Sequence, residues 1–470
     1  MKKWLFALAM CPTLSFGQPT IVTTTETMPW QIGEPLAPVR NRMASAIVVD
    51  TQTTYQTIEG FGGCFNELGW TSLSALADAD RQAILKELFA KGIGANFTIC
   101  RMPVGANDFS LDWYSYNENE GDFGMKKFSV ANDKKTLIPF IKAAQQYAPT
   151  LKIWASPWSP PTWMKWNKHY ACAVPPAQLD AKYNNHLPAD RQGREGTNMF
   201  IQQEAYFKAY AKYFSKFIDA YQKEGVRIAM VMPQNEFNSC QIFPSCTWTA
   251  QGLATFVGKY LGPAMERKGV EVMFGTMERP AEALVDTILN DPFSGKYVKG
   301  VGFQWAGKEA IPGIYHRYPN LKLYQTEQEC GDGKNNWQYC TYAWSLMKHY
   351  LSNGVSSYLY WNISLAEGGV SRWGWSQNSL VTVNTEAKSF RYNHEFYLLK
   401  HFSHYVMPGA KRVANTGGYS DALAFQNPDQ SVVIVIFNDR NEEQSMNISI
   451  KNKVYQAVLP ASSFSTIVAP

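Results

Sequence analysis

Ile228-Ala229-Met230-Val231-Met232-Pro233-Gln234-Asn235-Glu236-Phe237 passes abruptly from an apolar run to a polar Gln-Asn-Glu triplet. The run reads as a buried strand that delivers a carboxylate, Glu236, to its end. Such a group is costly to desolvate unless something there uses it. A single Asn-Glu pair is a weak signal, so its meaning depends on whether the chain repeats this pattern.

It does repeat it. Strand-like runs recur at 57–61, 96–102, 152–155, 227–232, 271–275, 299–304, 321–326 and 357–361. Between them, 78–91, 134–147, 205–223, 249–268, 281–289 and 341–352 carry helical periodicity, with starts such as Asp78 and Thr249. Eight strands alternating with helices predict an α/β fold, a parallel (β/α)8 TIM barrel. A doubly wound open sheet is the alternative, but no dinucleotide fingerprint follows the first strand. Gly60-Phe61-Gly62-Gly63 lacks the spacing and helix start of a phosphate loop.

The rhythm differs at both chain ends. Runs at 21–25 and 45–49 read as short strands ahead of the barrel. Beyond about residue 405, runs at 422–425, 432–437, 446–450, 454–459 and 466–468 are separated by turns such as Asn427-Pro428-Asp429. The expected organisation is a signal peptide at 1–17, N-terminal sandwich strands at 18–54, the barrel at 55–404 and a C-terminal β-sandwich at 405–470. Both ends of the chain are expected to build that sandwich together.

The leader reading rests on Lys2-Lys3, the apolar residues 4–10 and the small residues around Gly17. It predicts export to the periplasm or the exterior. Met10 is bulky where lipoprotein cleavage before Cys11 wants a small residue, which argues against a lipid anchor. Seventeen residues are too few for a membrane span, and no later stretch is apolar for long enough. Removing Lys2 and Lys3 lowers the formal charge from +5 to +3, and the chain has no basic runs, so no nucleic-acid partner is expected. Past the leader, Cys64, Cys100, Cys172, Cys240, Cys246, Cys330 and Cys340 form an odd set that leaves at least one free thiol. Cys240 with Cys246, and Cys330 with Cys340, are spaced to close short loops; the spacings are not those of a zinc cluster.

Barrel enzymes place their chemistry where strands finish. Here the strand ends run into Arg101 and Asp108, Trp158 and Trp163, Asn235-Glu236, Gln304-Trp305, Thr326-Glu327 and Trp361-Asn362. Flat aromatic faces beside amides and carboxylates suit sugar rings and their hydroxyls. The aromatic fraction is 14%, and none of the 15 Trp lies beyond Trp375, so these faces belong to the barrel. Glu236 and a carboxylate after the seventh strand supply the pair that glycoside hydrolysis requires, one protonated and one ionised. Mutual repulsion in a desolvated site separates their pKa values. Two residues compete for the second role, because Glu327 and Glu329 would share a strand face. Glu327 directly follows the apolar run.

The motifs Ile58-Glu59-Gly60-Phe61-Gly62-Gly63, Arg101-Met102-Pro103 with Asp108-Phe109-Ser110, Ala155-Ser156-Pro157-Trp158, Gln234-Asn235-Glu236 and Thr326-Glu327 together resemble glycoside hydrolase family 30. That family includes glucosylceramidase, bacterial β-glucosidases and β-1,6-glucanases. The resemblance runs from about residue 55 to 470. It implies a retaining mechanism on a barrel with an attached sandwich, with Glu236 as acid/base and Glu327 as nucleophile. It further implies that Asn235 binds a sugar hydroxyl, that Arg101 supports the nucleophile's charge, and that Asp108, Trp158, Trp305 and Trp361 belong to the substrate pocket. The implied partner is a β-linked oligosaccharide or glycoside, with no metal or cofactor. Two departures stand out: Gln304-Trp305-Ala306 replaces the His-Trp-Tyr of glucosylceramidase-like members, and Phe237 replaces the Pro after the acid/base.

Overall fold

The computed structural model describes residues 17–39 and 44–470; all but the last residue of the leader read at 1–17 lie outside them. Eight parallel strands form the central layer: β1 (Gly60–Cys64), β2 (Ile99–Pro103), β3 (Lys152–Ser156), β4 (Ile228–Val231), β5 (Glu271–Met277), β6 (Val298–Gln304), β7 (Lys322–Glu327) and β8 (Val355–Asn362). They close into a barrel, with β8 beside β1 so that Ser357 faces Gly60 and Tyr358 faces Phe61. Closure excludes the open doubly wound sheet. Gly62 permits the tight approach of β1 to β2, since a Cβ there would stand 1.8 Å from the Ile99 carbonyl oxygen.

The first barrel strand starts three residues later than its β-branched run suggested. Residues up to Thr57 belong to Ile47–Thr57, an 11-residue strand of the other sheet. That strand pairs with Lys411–Thr416 and with Gln444–Ile450. Its exposed Thr and Gln residues satisfy strand propensity without any barrel to bury them.

Helices wrap the barrel. Glu204–Lys223 presents Phe207, Tyr210, Tyr213, Phe214, Phe217 and Tyr221 as one buried face. The helix expected at 249–268 begins as read, with Thr249 Oγ1 accepting from Gly252 N–H at 3.0 Å. It then widens into a π turn over Val257–Leu261, because Pro263 has no N–H to offer the Lys259 carbonyl. Asp78 opens its helix without a side-chain cap bond. The last expected helix begins at Trp337 rather than residue 341, capped by Asn336. Three helices escaped the periodicity: Glu67–Ser74, Ile311–Arg317 and His394–Ser403. So did a small sheet after β8, made of Ser364–Ala366, Val381–Asn384 and Ser389–Tyr392.

Both chain ends meet in a nine-stranded sheet that folds over Ile47, Val413, Ile434, Ile448, Leu459 and Ile467 as a β-sandwich. Thr20–Thr24 pairs antiparallel with Ser463–Ala469. His401, on a helix packed against the barrel, hydrogen-bonds Thr466 Oγ1 at 2.8 Å and Thr24 Oγ1 at 2.9 Å, tying both chain ends to it. Neither short-range cysteine pair forms; all seven described cysteines are free thiols. No helix among the described residues is long and apolar enough to cross a membrane.

Candidate active site

Arg101, at the heart of β2 and fully buried, organises the C-terminal mouth of the barrel. Its Nη1 donates to Glu327 Oε2 at 2.9 Å, and its Nη2 to Asn235 Oδ1 at 2.6 Å and Ser156 Oγ at 2.9 Å. Thus one guanidinium joins the ends of β3 and β7 and the loop after β4. Its carbon sits 4.3 Å from the Trp158 ring centroid, with Trp154 at 5.0 Å and Trp361 at 5.6 Å. These aromatic faces help hold the buried cation.

Glu236 and Glu327 are each 5% exposed and line one cavity of about 330 Å³. Gln304, the last residue of β6, bridges them: Nε2 donates to Glu236 Oε1 at 3.0 Å and to Glu327 Oε2 at 3.2 Å. Two bonds to one nitrogen keep those two oxygens within about 6.2 Å of each other. Glu236 is held at φ +47°, the left-handed region that an L-residue occupies at a cost. The backbone at this turn is anchored by its N–H to Thr276 Oγ1 at 2.9 Å. Phe237 turns inward and packs on Phe274 at 4.8 Å, so an apolar side chain replaces the expected Pro without entering the cavity.

The two carboxyls occupy different fields. Burial, then the charges of Glu327, Glu278 and Asp108, push Glu236 well above its ordinary value. Burial raises Glu327 as well, but Arg101, Trp305 and Gln304 pull it back down. Glu236 has only Gln304 on its side. A proton shared by the pair therefore resides on Glu236, and Glu327 carries the charge.

Each residue expected at the site has a definite place. Asn235 Oδ1 accepts from Arg101, from Thr276 Oγ1 at 3.0 Å and from Gln304 at 3.3 Å, which commits that oxygen to the protein. Trp305 lines the cavity and donates its indole N–H to Glu327 Oε1 at 3.1 Å. That N–H is a donor to Glu327 besides Arg101 and Gln304. Asp108 lines the cavity with Oδ1 unpartnered among the described residues, and burial and Glu327 raise its carboxyl well above the usual range. Trp158 and Trp361 stack at 5.3 Å beneath Arg101, and neither forms the cavity wall. Trp163 is buried away from it, donating to the Asn117 carbonyl at 2.9 Å. Glu329 also lies off the cavity, accepting from Lys308 Nζ and Tyr342 OH, both at 2.8 Å.

Other contributions, Gln241 and Phe243 among them, were not assigned a role from the sequence. Gln304 and Glu278 follow the strand-end rule, at the close of β6 and one residue beyond β5. The segment 374–377, which brings Trp375 and Gln377 to the cavity, left no comparable signal, because it hangs between the strands of the small sheet after β8.

Changing Trp305 to Phe keeps the ring and removes one charge-assisted donor from Glu327. A lost hydrogen bond to a buried charge costs about 1.5–3 kcal/mol, so kcat is expected to fall about 10–100-fold. That donor favours the ionised form, so the acidic limb of the pH–rate profile should move upward. Steady-state kinetics across pH test both; an unchanged acidic limb would remove Trp305 from this role.

Two buried carboxyls of unequal proton affinity at the mouth of a closed (β/α)8 barrel define the chain as a glycoside hydrolase. Residues 58–182 and 189–406 match the glycosyl hydrolase family 30 TIM-barrel domain, and residues 409–467 match that family's beta sandwich domain. The chain belongs to glycosyl hydrolase family 30. It is 29% identical over 418 residues to putative glucosylceramidase 1 of Caenorhabditis elegans, covering 83% of this chain and 76% of that one. It is 27% identical over 458 residues to an endo-1,6-beta-D-glucanase of Aspergillus fumigatus, covering 90% and 87%. The solved structure of SrfJ from Salmonella typhimurium shares the fold with a TM-score of 0.83 at 23% identity, covering 96% of this chain and 99% of that one.

Proposed function

We propose that this enzyme is a retaining hydrolase of β-linked glucosides or β-1,6-glucan that works by double displacement. The observation carrying this reading is the Gln304 bridge, whose single Nε2 donates to both carboxyls and so supports the close pair that a retaining mechanism uses. Protonated Glu236 donates to the glycosidic oxygen as the leaving group departs. Glu327 attacks the anomeric carbon and forms a glycosyl-enzyme, its departure later eased by Arg101 and Trp305. Glu236, now ionised, takes a proton from the water that releases the sugar.

Relatives named glucosylceramidase and endo-1,6-beta-D-glucanase support glucose as the sugar. The cavity, near the lower end of the 300–1,000 Å³ typical of ligand pockets, suits a terminal sugar with part of its neighbour. The unpartnered Asp108 Oδ1, which lines the cavity, is a group that a sugar hydroxyl would satisfy. Export is part of the same proposal, supported by the charged, apolar and small-residue order of the first 17 residues.

A 2-deoxy-2-fluoro-β-glucoside with a good leaving group is expected to inactivate the enzyme with one label per chain, on the peptide containing Glu327. Hydrolysis of a panel spanning β-glucosides, β-1,6-glucan, β-xylosides, β-fucosides and β-1,6-galactan should favour the first two. Turnover without labelling, with an inverted anomer as first product, would overturn the mechanism. Faster turnover of another panel sugar would overturn the substrate class, and binding without hydrolysis of any of them would make the protein a carbohydrate-binding module.

A further inference from the structure

The loop that carries Glu236 continues through Cys240, Gln241 and Phe243, and the last two line the cavity. Against it lies the insert that follows β3. The N–H groups of Cys172 and Ala173 both donate to the Gln241 carbonyl at 2.9 Å, and Ser245 N–H donates to the Tyr170 carbonyl at 3.0 Å. Ala171 pairs antiparallel with Pro244 between them. This pairing brings Cys172 and Cys240 to the same side of the two loops. Gly193 closes over both, since a Cβ there would stand 3.2 Å from Cys240 Sγ and 3.6 Å from Cys172 Cβ. Neither cysteine has a role in the glycosidase chemistry.

We propose that Cys172 and Cys240 form a reversible disulfide that staples the insert after β3 to the loop carrying the acid/base. Their surroundings suit the chemistry. Burial pushes the Cys172 thiol up, but the hydrogen bond from Cys240 and the charge of Lys165 bring it down to about 6. Lys165 Nζ and Cys172 Sγ share the Ser245 carbonyl, at 2.6 and 3.2 Å. The Lys165 ammonium beside Cys172 favours the thiolate form that thiol–disulfide exchange needs. Cys240 is half-buried and is the sulfur that solvent reaches.

With a small organic disulfide RS–SR as oxidant, the thiolate form of Cys240 attacks one of its sulfurs. The RS–SR bond breaks, and the Cys240 proton leaves with the first RSH. The Cys172 thiolate then attacks the Cys240 sulfur of the mixed disulfide and expels the second RS⁻. The two cysteines lose two electrons and the oxidant gains them. The product crosslinks residues far apart in sequence, so it restricts the unfolded chain more than a local bridge would.

The test reduces the full chain with dithiothreitol, removes the reductant and equilibrates the folded protein with oxidised glutathione. Non-reducing peptide mapping is expected to find one new crosslinked peptide pair, Cys172 with Cys240, two hydrogens lighter than the reduced pair. The melting temperature should rise by several degrees on oxidation in the wild type and not in C172S or C240S. A bridge from Cys172 to the neighbouring Cys246 instead, a stable glutathione adduct at Cys240, or no crosslink would each overturn the proposal. The mapping uses wild-type protein, so it stands even if a serine variant folds poorly.

Discussion

Glutamine in place of Glu327 is expected to lower kcat by on the order of 10⁵-fold, the scale seen when a covalent nucleophile is removed from an otherwise intact site. The variant should remain folded. Arg101 keeps its bonds to Asn235 Oδ1, Ser156 Oγ and the Thr326 carbonyl, so the buried guanidinium is not stripped of partners. Near-ultraviolet circular dichroism separates lost chemistry from lost structure. Changing Glu329 to Ala removes the partner of Lys308 and Tyr342 outside the cavity and should leave kcat within a few-fold of wild type. A large loss in the Glu329 variant alone would move the nucleophile there.

Removing the carboxyl of Glu236 should act on a different step. Glutamine there is expected to cost about 10²–10⁴-fold on alkyl glycosides, the range for general acid–base catalysis. An aryl glycoside with a strongly acidic leaving group needs no proton, so its first step should survive and glycosyl-enzyme should accumulate. Added azide, a nucleophile that needs no general base, should then restore turnover as a β-glycosyl azide. The pH dependence follows from the direction of the shift. Glu236 must be protonated to act as acid, and burial with neighbouring carboxylates raises its pKa. Wild-type activity should therefore persist above the ordinary carboxyl range and fall as pH rises through the raised value. Glutamine cannot ionise, so in the variant that alkaline limb should vanish for glycosylation. An alkaline limb unchanged in the Glu236→Gln variant would assign the acid to another group.

Much of this was legible in the chain before folding. The β/α alternation announced the barrel because a strand covered by helices must be apolar along its length, and runs such as 228–232 cannot be satisfied at a surface. Glu236 and Glu327 were legible for the same reason in reverse: a carboxylate that ends such a run is dear to bury without a use. Legibility failed where one local pattern served two sheets. The run at 57–61 read as the opening of the barrel, yet its first residue, Thr57, ends the sandwich strand Ile47–Thr57. It failed too for Trp158, whose face lies against Arg101 and Trp361 rather than toward a sugar. An aromatic residue shows its size in a sequence but not which neighbour covers it.

The chain by itself determined the strand–helix rhythm, the all-β character of its ends and the two carboxylates placed at the ends of apolar runs. Each follows from which side chains water rejects, a property that a residue carries wherever it lies. Only the tertiary structure decided which groups share a proton, which indole N–H meets Glu327, and which cysteines lie together. Gln304 reaches both carboxyls, Trp305 reaches Glu327, and Cys172 lies near Cys240 only because barrel closure brings separate loops to one mouth. Hydrogen bonds and ion pairs depend on distances of about 3 Å, and no spacing along the chain encodes a distance between strands.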